Sequence, residues 1–231
     1  RMKSVCTLPL IAGLLFGTAS LAFAADPVNF KVTDIPGHFF DTGVEIAGTR
    51  SLAIVPPGTQ INFLQDIGGV KVAESKHTVT SLIWPSTASS SERIDQDSAN
   101  QDNHSVMLVT PGLYVYVCKL HPYMLGAVIV DDPATKTANG DPAYDIGNQL
   151  TLLVKREVTD PANLTFDSNS NLGLRALRAF FIVTNPANWK DYTKVGQPYK
   201  PDYPAVPVVV TGGAVVPDLK AALQATFDGE T

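Results

Sequence analysis

Short apolar runs, each ended by a turn signal, dominate the sequence between Val28 and Asp132. Two runs meet at Pro56-Pro57-Gly58 and two more at Pro111-Gly112, and proline next to glycine is a strong turn signal. Several runs alternate apolar and polar residues and are rich in β-branched side chains, a pattern typical of strands. The pattern predicts an all-β fold, a sandwich or a barrel. The runs are VNFKVTDI, RSLAIVPPGTQINFLQ, KHTVTSLIW, SVMLVTPGLYVYVC and GAVIVDD.

The sequence changes character from Pro133 onward. DDPATKTANGDPAYDIGN is typical of a linker, QLTLLVKREV and ALRAFFIVTN fit strands, and LGLRALRAFF also fits a helix. YKPDYPAVPVVV is rich in proline and is expected to be extended. DLKAALQATF predicts a terminal helix with apolar residues at four-residue spacing. We therefore expect a β domain at 27–132 and an extension of mixed structure at 133–231, which packs on the sandwich or on a partner.

A long polar stretch, PSTASSSERIDQDSANQDNHS, lies between Trp84 and Val106. Loops of this length are usually either functional or mobile. The composition, rich in Ser, Asp and Asn, predicts a mobile, solvated loop. Recognition of a partner is the alternative interpretation.

The N-terminal residues predict a signal peptide over 1–24. Lys3 supplies positive charge, an apolar run follows, and Ala22–Ala24 place small residues where a signal peptidase cleaves. The run is short for a membrane span and contains Gly and Ser, and no later stretch is long and apolar enough to span a membrane. We therefore expect a periplasmic protein without a transmembrane segment after cleavage. With 17 Lys and Arg against 22 Asp and Glu, the chain is acidic, which argues against nucleic-acid binding.

The cysteine count restricts the chemistry further. The chain has two cysteines, and Cys6 leaves with the predicted signal peptide, so that Cys118 remains alone. A single thiol in an oxidising compartment cannot form an internal disulfide. Cys118 must therefore be buried and inert, be paired with another molecule, or act as a ligand.

The segment GLYVYVCKLHPYMLG places Cys118, His121 and Met124 three residues apart. Tyr114, Tyr116 and Cys118 share one face of the preceding strand, because side chains alternate along a strand. Two His nitrogens and a thiolate with a weak axial Met describe a blue-copper site, and His77, on a distant predicted strand, is the candidate for the second His. The alternative is that Cys118 and Met124 are core residues and His121 a satisfied polar residue. That alternative leaves a lone thiol beside His and Met unexplained.

PGLYVYVCKLHPYMLGAVIV resembles the copper-binding signature of the cupredoxins, the family of plastocyanin and azurin, with a short ligand loop of the amicyanin type. VPPGTQINF is similar to the family's upstream strand. The resemblance implies a Greek-key β-sandwich that binds one type 1 copper ion. The ligands that it implies are His77, Cys118, His121 and Met124. The sequence departs from the family at LQDIGGVKVAES, which looks expanded, and at Thr78, where many members have Asn. The polar loop and the extension have no counterpart in small cupredoxins.

The resemblance implies a periplasmic carrier of single electrons that works with a redox protein such as a cytochrome or an oxidoreductase. Two alternatives stay open: a copper delivery or storage protein, and a cupredoxin subunit of a larger redox complex. Apart from the predicted ligands, the chain has only two histidines, His38 and His104, and residues 133–231 contain no His, Cys or Met. Two histidines are too few for a multicopper oxidase or a copper nitrite reductase, so we predict no enzymatic activity. We expect His38 and His104 to be surface residues or to have their hydrogen bonds satisfied.

Overall fold

The computed structural model describes residues 25–85, 87–96, 101–136, 140, 143–146, 172–188, 201–209 and 215–228. The predicted signal peptide and the run QLTLLVKREV lie outside the described residues. Within these ranges, no helix is both long enough and apolar enough to cross a membrane.

Ten strands of the described β domain are β1 (Val28–Val32), β2 (Phe40–Asp41), β3 (Leu52–Val55), β4 (Thr59–Leu64), β5 (Asp66–Ile67), β6 (Val70–Lys71), β7 (Thr80–Ile83), β8 (His104–Leu108), β9 (Gly112–Val117) and β10 (Leu125–Val130). Eight of them form two four-stranded sheets, ordered β2-β1-β4-β8 and β3-β10-β9-β7. β1 is parallel to β4, and β3 is parallel to β10, whereas the other pairs within these sheets are antiparallel. β5 and β6 form a separate hairpin, which accounts for the expanded stretch before His77.

The two sheets enclose a common apolar core, so the predicted β-sandwich is confirmed. Along β4 the buried residues alternate with more exposed ones, as expected for a strand with one face on a core. The ring of Phe63 lies at its centre, with ring centroids 4.6 Å from Tyr116, 5.4 Å from Phe30 and 6.0 Å from Phe40. Aromatic pairs at such distances add to the stabilisation from buried area.

β9 and the greater part of β10 are buried on both faces of their sheet. Tyr114 and Tyr116 point into the sandwich, whereas Leu113 and Val115 belong to a second apolar cluster on the outer face. Strands covered on both sides lose the alternation of apolar and polar residues. This explains the continuous apolar runs LYVYV and AVIV.

The described part of the extension supplies the cover for that outer face. It contains β11 (Tyr144–Asp145), α1 (Leu172–Thr184), β12 (Val208–Val209), β13 (Val215–Val216) and α2 (Leu219–Asp228), and the three strands form one small sheet. Leu177, Phe180 and Leu223, each 1% exposed or less, pack in the same cluster as Val115 and Ile129. These contacts place the described extension on the sandwich. The domain bounds themselves stay a prediction.

The two helices test the sequence interpretation of the extension. α2 confirms the terminal helix expected from DLKAALQATF. The interpretation of ALRAFFIVTN as a strand is wrong, because these residues continue α1 as far as Thr184. The buried residues Leu177, Phe180, Phe181 and Thr184 follow the spacing of one helix face. The continuous apolar run AFFIV also fits a buried strand, and periodicity alone does not separate the two.

The prediction of a solvated loop after Trp84 holds for most of residues 87–96, which are exposed, but is wrong for Glu92, Ile94 and Gln96, which are buried. Ile94 is 8% exposed, and its backbone exchanges hydrogen bonds with Ser81: the Ser81 amide donates to the Ile94 carbonyl at 2.7 Å, and the Ile94 amide to the Ser81 hydroxyl at 3.0 Å. The side-chain oxygen of Gln96 accepts from the Val79 amide at 2.7 Å. The segment thereby supplies partners to backbone groups at the free edge of β7 and just before it, where unpaired groups need partners.

A buried carboxylate, Glu92, ties the same segment to the turn before β9. Its side-chain oxygens accept hydrogen bonds from the amides of Val109 and Thr110 and from the Tyr114 hydroxyl, all at 2.8–2.9 Å, and from the Ser89 amide at 3.0 Å. Burial raises the pKa of Glu92, but these hydrogen bonds outweigh burial and lower the pKa to about 2. Hydrogen bonds to the ionised form have this effect because they stabilise the charge.

We expect the Glu92 carboxylate to make the stability of the fold depend on pH in the acid range. Its folded pKa of about 2 lies below the ordinary value of 4.5, so its stabilisation is complete above about pH 4.5 and is lost as pH falls through about 2. Glu92→Gln should lower the free energy of unfolding at pH 7 by about 3 kcal/mol and flatten its fall below pH 4.5. Urea unfolding of both proteins between pH 2 and 7, with the exposed Glu74→Gln as control, measures this. Parallel pH profiles for Glu92→Gln and the parent protein would contradict it.

Candidate metal centre

The loop between β9 and β10 brings the spaced residues together through its backbone. The amide of His121 donates to the carbonyl of Cys118 at 3.2 Å, and the amide of Met124 donates to the carbonyl of His121 at 2.8 Å. Each of these hydrogen bonds joins residues three apart, as in a β-turn. The Cys118 amide closes the loop by donating to the Met124 carbonyl at 3.3 Å. The spacing of three therefore corresponds to two successive turns.

Three of the four predicted ligand residues converge on one point. The sulfur of Cys118 lies 3.8 Å from Nδ1 of His77 and 3.7 Å from Nδ1 of His121, and the three donor atoms lie within 4.8 Å of one another. Cys118 and His77 are buried, whereas His121 is half-buried. Met124 is 1% exposed and belongs to the same core cluster as Cys118. Metal binding by these four residues stays a prediction.

The separations fit a metal ion held by one sulfur and two nitrogens. With metal–sulfur and metal–nitrogen bonds of about 2.3 and 2.0 Å, as zinc sites have, a planar trigonal arrangement separates sulfur from nitrogen by about 3.7 Å. The observed distances are 3.7 and 3.8 Å. A thiolate with two imidazoles is the donor set of blue-copper sites, in which a thioether is a weak fourth ligand. The donor set therefore fits copper.

Asp34 controls the orientation of the His77 ring. Its Oδ1 lies 2.9 Å from His77 Nε2, and an ionised carboxylate can only accept, so Nε2 carries a proton and Nδ1 faces Cys118. Burial lowers the pKa of His77, but its hydrogen bonds to Cys118 and Asp34 outweigh burial and raise it. Burial raises the pKa of Asp34, but hydrogen bonds from Ser75, His77 and Glu74 outweigh burial and lower it. Sequence analysis missed Asp34, because no motif connects it to a histidine 43 residues away.

Thr78 links the cysteine to the irregular segment that carries His77 and leads into β7. Its amide lies 3.3 Å from the Cys118 sulfur, and its hydroxyl accepts from the Lys119 amide at 2.7 Å. Burial raises the pKa of Cys118, but hydrogen bonds from His77, the Thr78 amide and His121 outweigh burial and lower the pKa to about 6. The thiolate, which is the form that binds metals, therefore predominates at neutral pH.

The rim of the centre is apolar around His121. Leu120 and Tyr123 are each 54% exposed. The Tyr123 ring lies 5.9 Å from the His121 ring and 5.4 Å from the ring of Phe39. Lys119, beside Leu120, forms an ion pair with Asp95 at 2.9 Å. An apolar surface of this kind is suited to a small, weak protein contact.

His38 and His104 do not join the donor group within the described residues. Nδ1 of His38 and Nε2 of His104 are buried and have no hydrogen-bond partner in the described structure. The expectation that both are surface or satisfied residues is therefore wrong for these two nitrogens. Burial lowers the pKa of His104, which favours its neutral form.

Comparisons with known proteins give distant structural likenesses. No protein-family model and no curated protein matches the chain. It is similar to pseudoazurin from Methylobacterium extorquens AM1, at 20% identity over 46% of this chain and 75% of that one, with a TM-score of 0.34. It is also similar to plastocyanin from Dryopteris crassirhizoma, at 18% identity over 45% of this chain and 99% of that one, with a TM-score of 0.32.

A further likeness is to a copper-containing nitrite reductase from Thermus scotoductus SA-01. The identity is 20% over 46% of this chain, the TM-score is 0.30, and the match spans only 23% of the reductase. These likenesses concern the fold alone.

We expect Thr78→Val to destabilise the protein without metal. The substitution keeps the shape of the side chain but leaves the Lys119 amide without its acceptor. Because this hydrogen bond is only partly buried, we expect a loss of about 1 kcal/mol. Urea unfolding of the metal-free protein measures the loss. Thr78→Ser, which keeps the hydroxyl, is the control and should retain more of the stability. Equal stability of the Val and Ser variants would show that the hydrogen bond at 2.7 Å contributes nothing.

Proposed function

We propose that this chain is a type 1 copper protein that carries single electrons between redox partners in the periplasm. The proposed ligands of one copper ion are His77, Cys118, His121 and Met124. The observation that supports this most strongly is the approach of two Nδ1 atoms to the Cys118 sulfur at 3.7 and 3.8 Å. When bound, copper would supply a centre that alternates between Cu(II) and Cu(I) by exchanging one electron. The periplasmic location is supported by the predicted signal peptide.

The surrounding protein holds the donor atoms in place before any metal binds. The backbone hydrogen bonds of the loop fix Cys118, His121 and Met124 relative to one another. Asp34 orients His77, and Thr78 links the Cys118 segment to the segment before β7 that carries His77. A site whose donors are fixed by such surrounding contacts reorganises little when its charge changes. Little reorganisation favours rapid gain and loss of an electron.

We place the contact with a redox partner, such as a cytochrome or an oxidoreductase, at the apolar rim. His121 is the half-buried member of the three converging residues, whereas His77 and Cys118 are 2% exposed or less. The exposed Leu120 and Tyr123 flank it. A partner seated on this rim would come close to the site without disturbing the buried ligands. Such electron-transfer contacts are small and short-lived.

The burial of the proposed ligand residues favours an electron carrier over a copper-delivery protein. A delivery protein needs a site that surrenders its ion readily, yet His77, Cys118 and Met124 are all 2% exposed or less. The idea of a subunit whose extension clamps a larger complex is less favoured, since buried residues of the extension lie against the sandwich itself. We also propose a carrier over an oxidase or a nitrite reductase, because only two of the four histidines are left for further metal sites.

The copper-loaded protein should show an intense visible absorption from thiolate-to-copper charge transfer and a matching EPR spectrum. Cys118→Ser should abolish that absorption, because it removes the sulfur at the point of convergence. His104→Gln, outside the donor group, is the matched control and should keep it. Absorption retained in Cys118→Ser, or absent from the parent protein after loading with Cu(II), would contradict the proposal.

We expect a charge on the apolar rim to slow electron exchange between two copies of the protein. Leu120→Glu places two like charges opposite each other when the rims meet, and should reduce the self-exchange rate at least tenfold at low salt with an unchanged visible spectrum. NMR line broadening in mixtures of the oxidised and reduced protein measures the rate. Met107→Glu introduces the same charge at a residue 53% exposed on β8 and is the control. Equal slowing by both variants would place the contact elsewhere.

A further inference from the structure

The carboxylate of Asp34 is shared between the His77 ring and the loop that leads to it. Oδ1 accepts from Nε2 of His77 at 2.9 Å, while Oδ2 accepts from the amides of Glu74 at 2.8 Å and Ser75 at 3.0 Å. Among the described residues, Asp34 forms an ion pair with His77 and with no lysine or arginine. One of its two oxygens is therefore directed at the ring.

We infer that Asp34 is a positioning residue that orients His77 and, through its charge, favours oxidised over reduced copper. This inference rests on the proposed function. A neutral acceptor would be enough to hold the ring with Nδ1 toward Cys118. A carboxylate on the outer nitrogen of a ligating histidine also makes the imidazole a stronger donor, and a stronger anionic donor stabilises Cu(II) more than Cu(I).

A merely structural role for Asp34 makes a different prediction. If the carboxylate only fastens the loop at Glu74 and Ser75, its loss lowers the stability of the protein but affects both oxidation states alike. If Asp34 acts through His77, its loss changes the ratio of the affinities for Cu(II) and Cu(I). The midpoint potential reports that ratio and is insensitive to stability alone.

The test uses the full-length protein loaded with copper. Loss of such a carboxylate typically weakens metal binding 10- to 100-fold. We expect Asp34→Asn to lower the affinity for Cu(II) about tenfold more than the affinity for Cu(I). This raises the midpoint potential by about 60 mV, since a tenfold ratio is 59 mV for one electron. Chelator competition and voltammetry measure both quantities. Asp34→Glu keeps the charge, so its midpoint potential should lie close to that of the parent protein. Glu74→Gln removes an exposed charge from the same loop and should leave the potential almost unchanged.

A midpoint potential of Asp34→Asn equal to that of the parent protein, or to that of Glu74→Gln, would overturn the inference while leaving the copper site intact. Absence of the charge-transfer absorption from the parent protein would instead overturn the proposed function. NMR of the parent protein with Cu(I) tests the hydrogen bond that the inference requires and needs no variant. A proton on Nε2 of His77 without the downfield shift of a hydrogen bond to a carboxylate overturns the inference.

Discussion

The sulfur of Cys118 is fully buried, and a buried thiolate is costly unless polar groups compensate its charge. Those groups come from distant parts of the chain. The Thr78 amide and the His77 ring approach from a segment about 40 residues earlier, and the His121 ring approaches from the loop itself. The low pKa of the thiol and the convergence of the three donor atoms therefore both follow from one set of contacts.

The rigidity of this arrangement derives from the hairpin that carries it. β9 and β10 pair in register from Gly112 opposite Val130 to Val117 opposite Leu125, and the ligand loop joins their ends. Both faces of the hairpin are covered, one by the opposite sheet and the other by the extension. Because closely packed interiors resist small displacements, the loop is attached to one of the least deformable parts of the fold. In this view, the extension supports the site without supplying a ligand.

Local patterns were sufficient to predict the part of the site that is local. The spacing of Cys118, His121 and Met124 and the shared face of Tyr114, Tyr116 and Cys118 follow from turn and strand geometry alone. Alternation and turn signals likewise predicted the sandwich. His77 required a distant strand to be chosen, and the resemblance to cupredoxins supported that choice.

What the sequence could not reveal are contacts between short polar side chains and distant backbone. Asp34 reaches the amides of the loop before His77 across some 40 residues, and Glu92 reaches those of Val109 and Thr110 from within an apparently solvated stretch. No periodicity marks such residues. α1 was ambiguous for another reason, since a short continuous apolar run such as AFFIV fits both a helix and a buried strand.

X-ray absorption at the copper edge, recorded on the oxidised and the reduced protein, tests the central claim most directly. That claim is that Cys118, His77 and His121 already stand where one copper ion needs them. The account predicts one short bond to sulfur and two to imidazole nitrogen in both oxidation states, with little change in length on reduction. A first shell of nitrogen and oxygen alone, or the loss of a ligand on reduction, would contradict it.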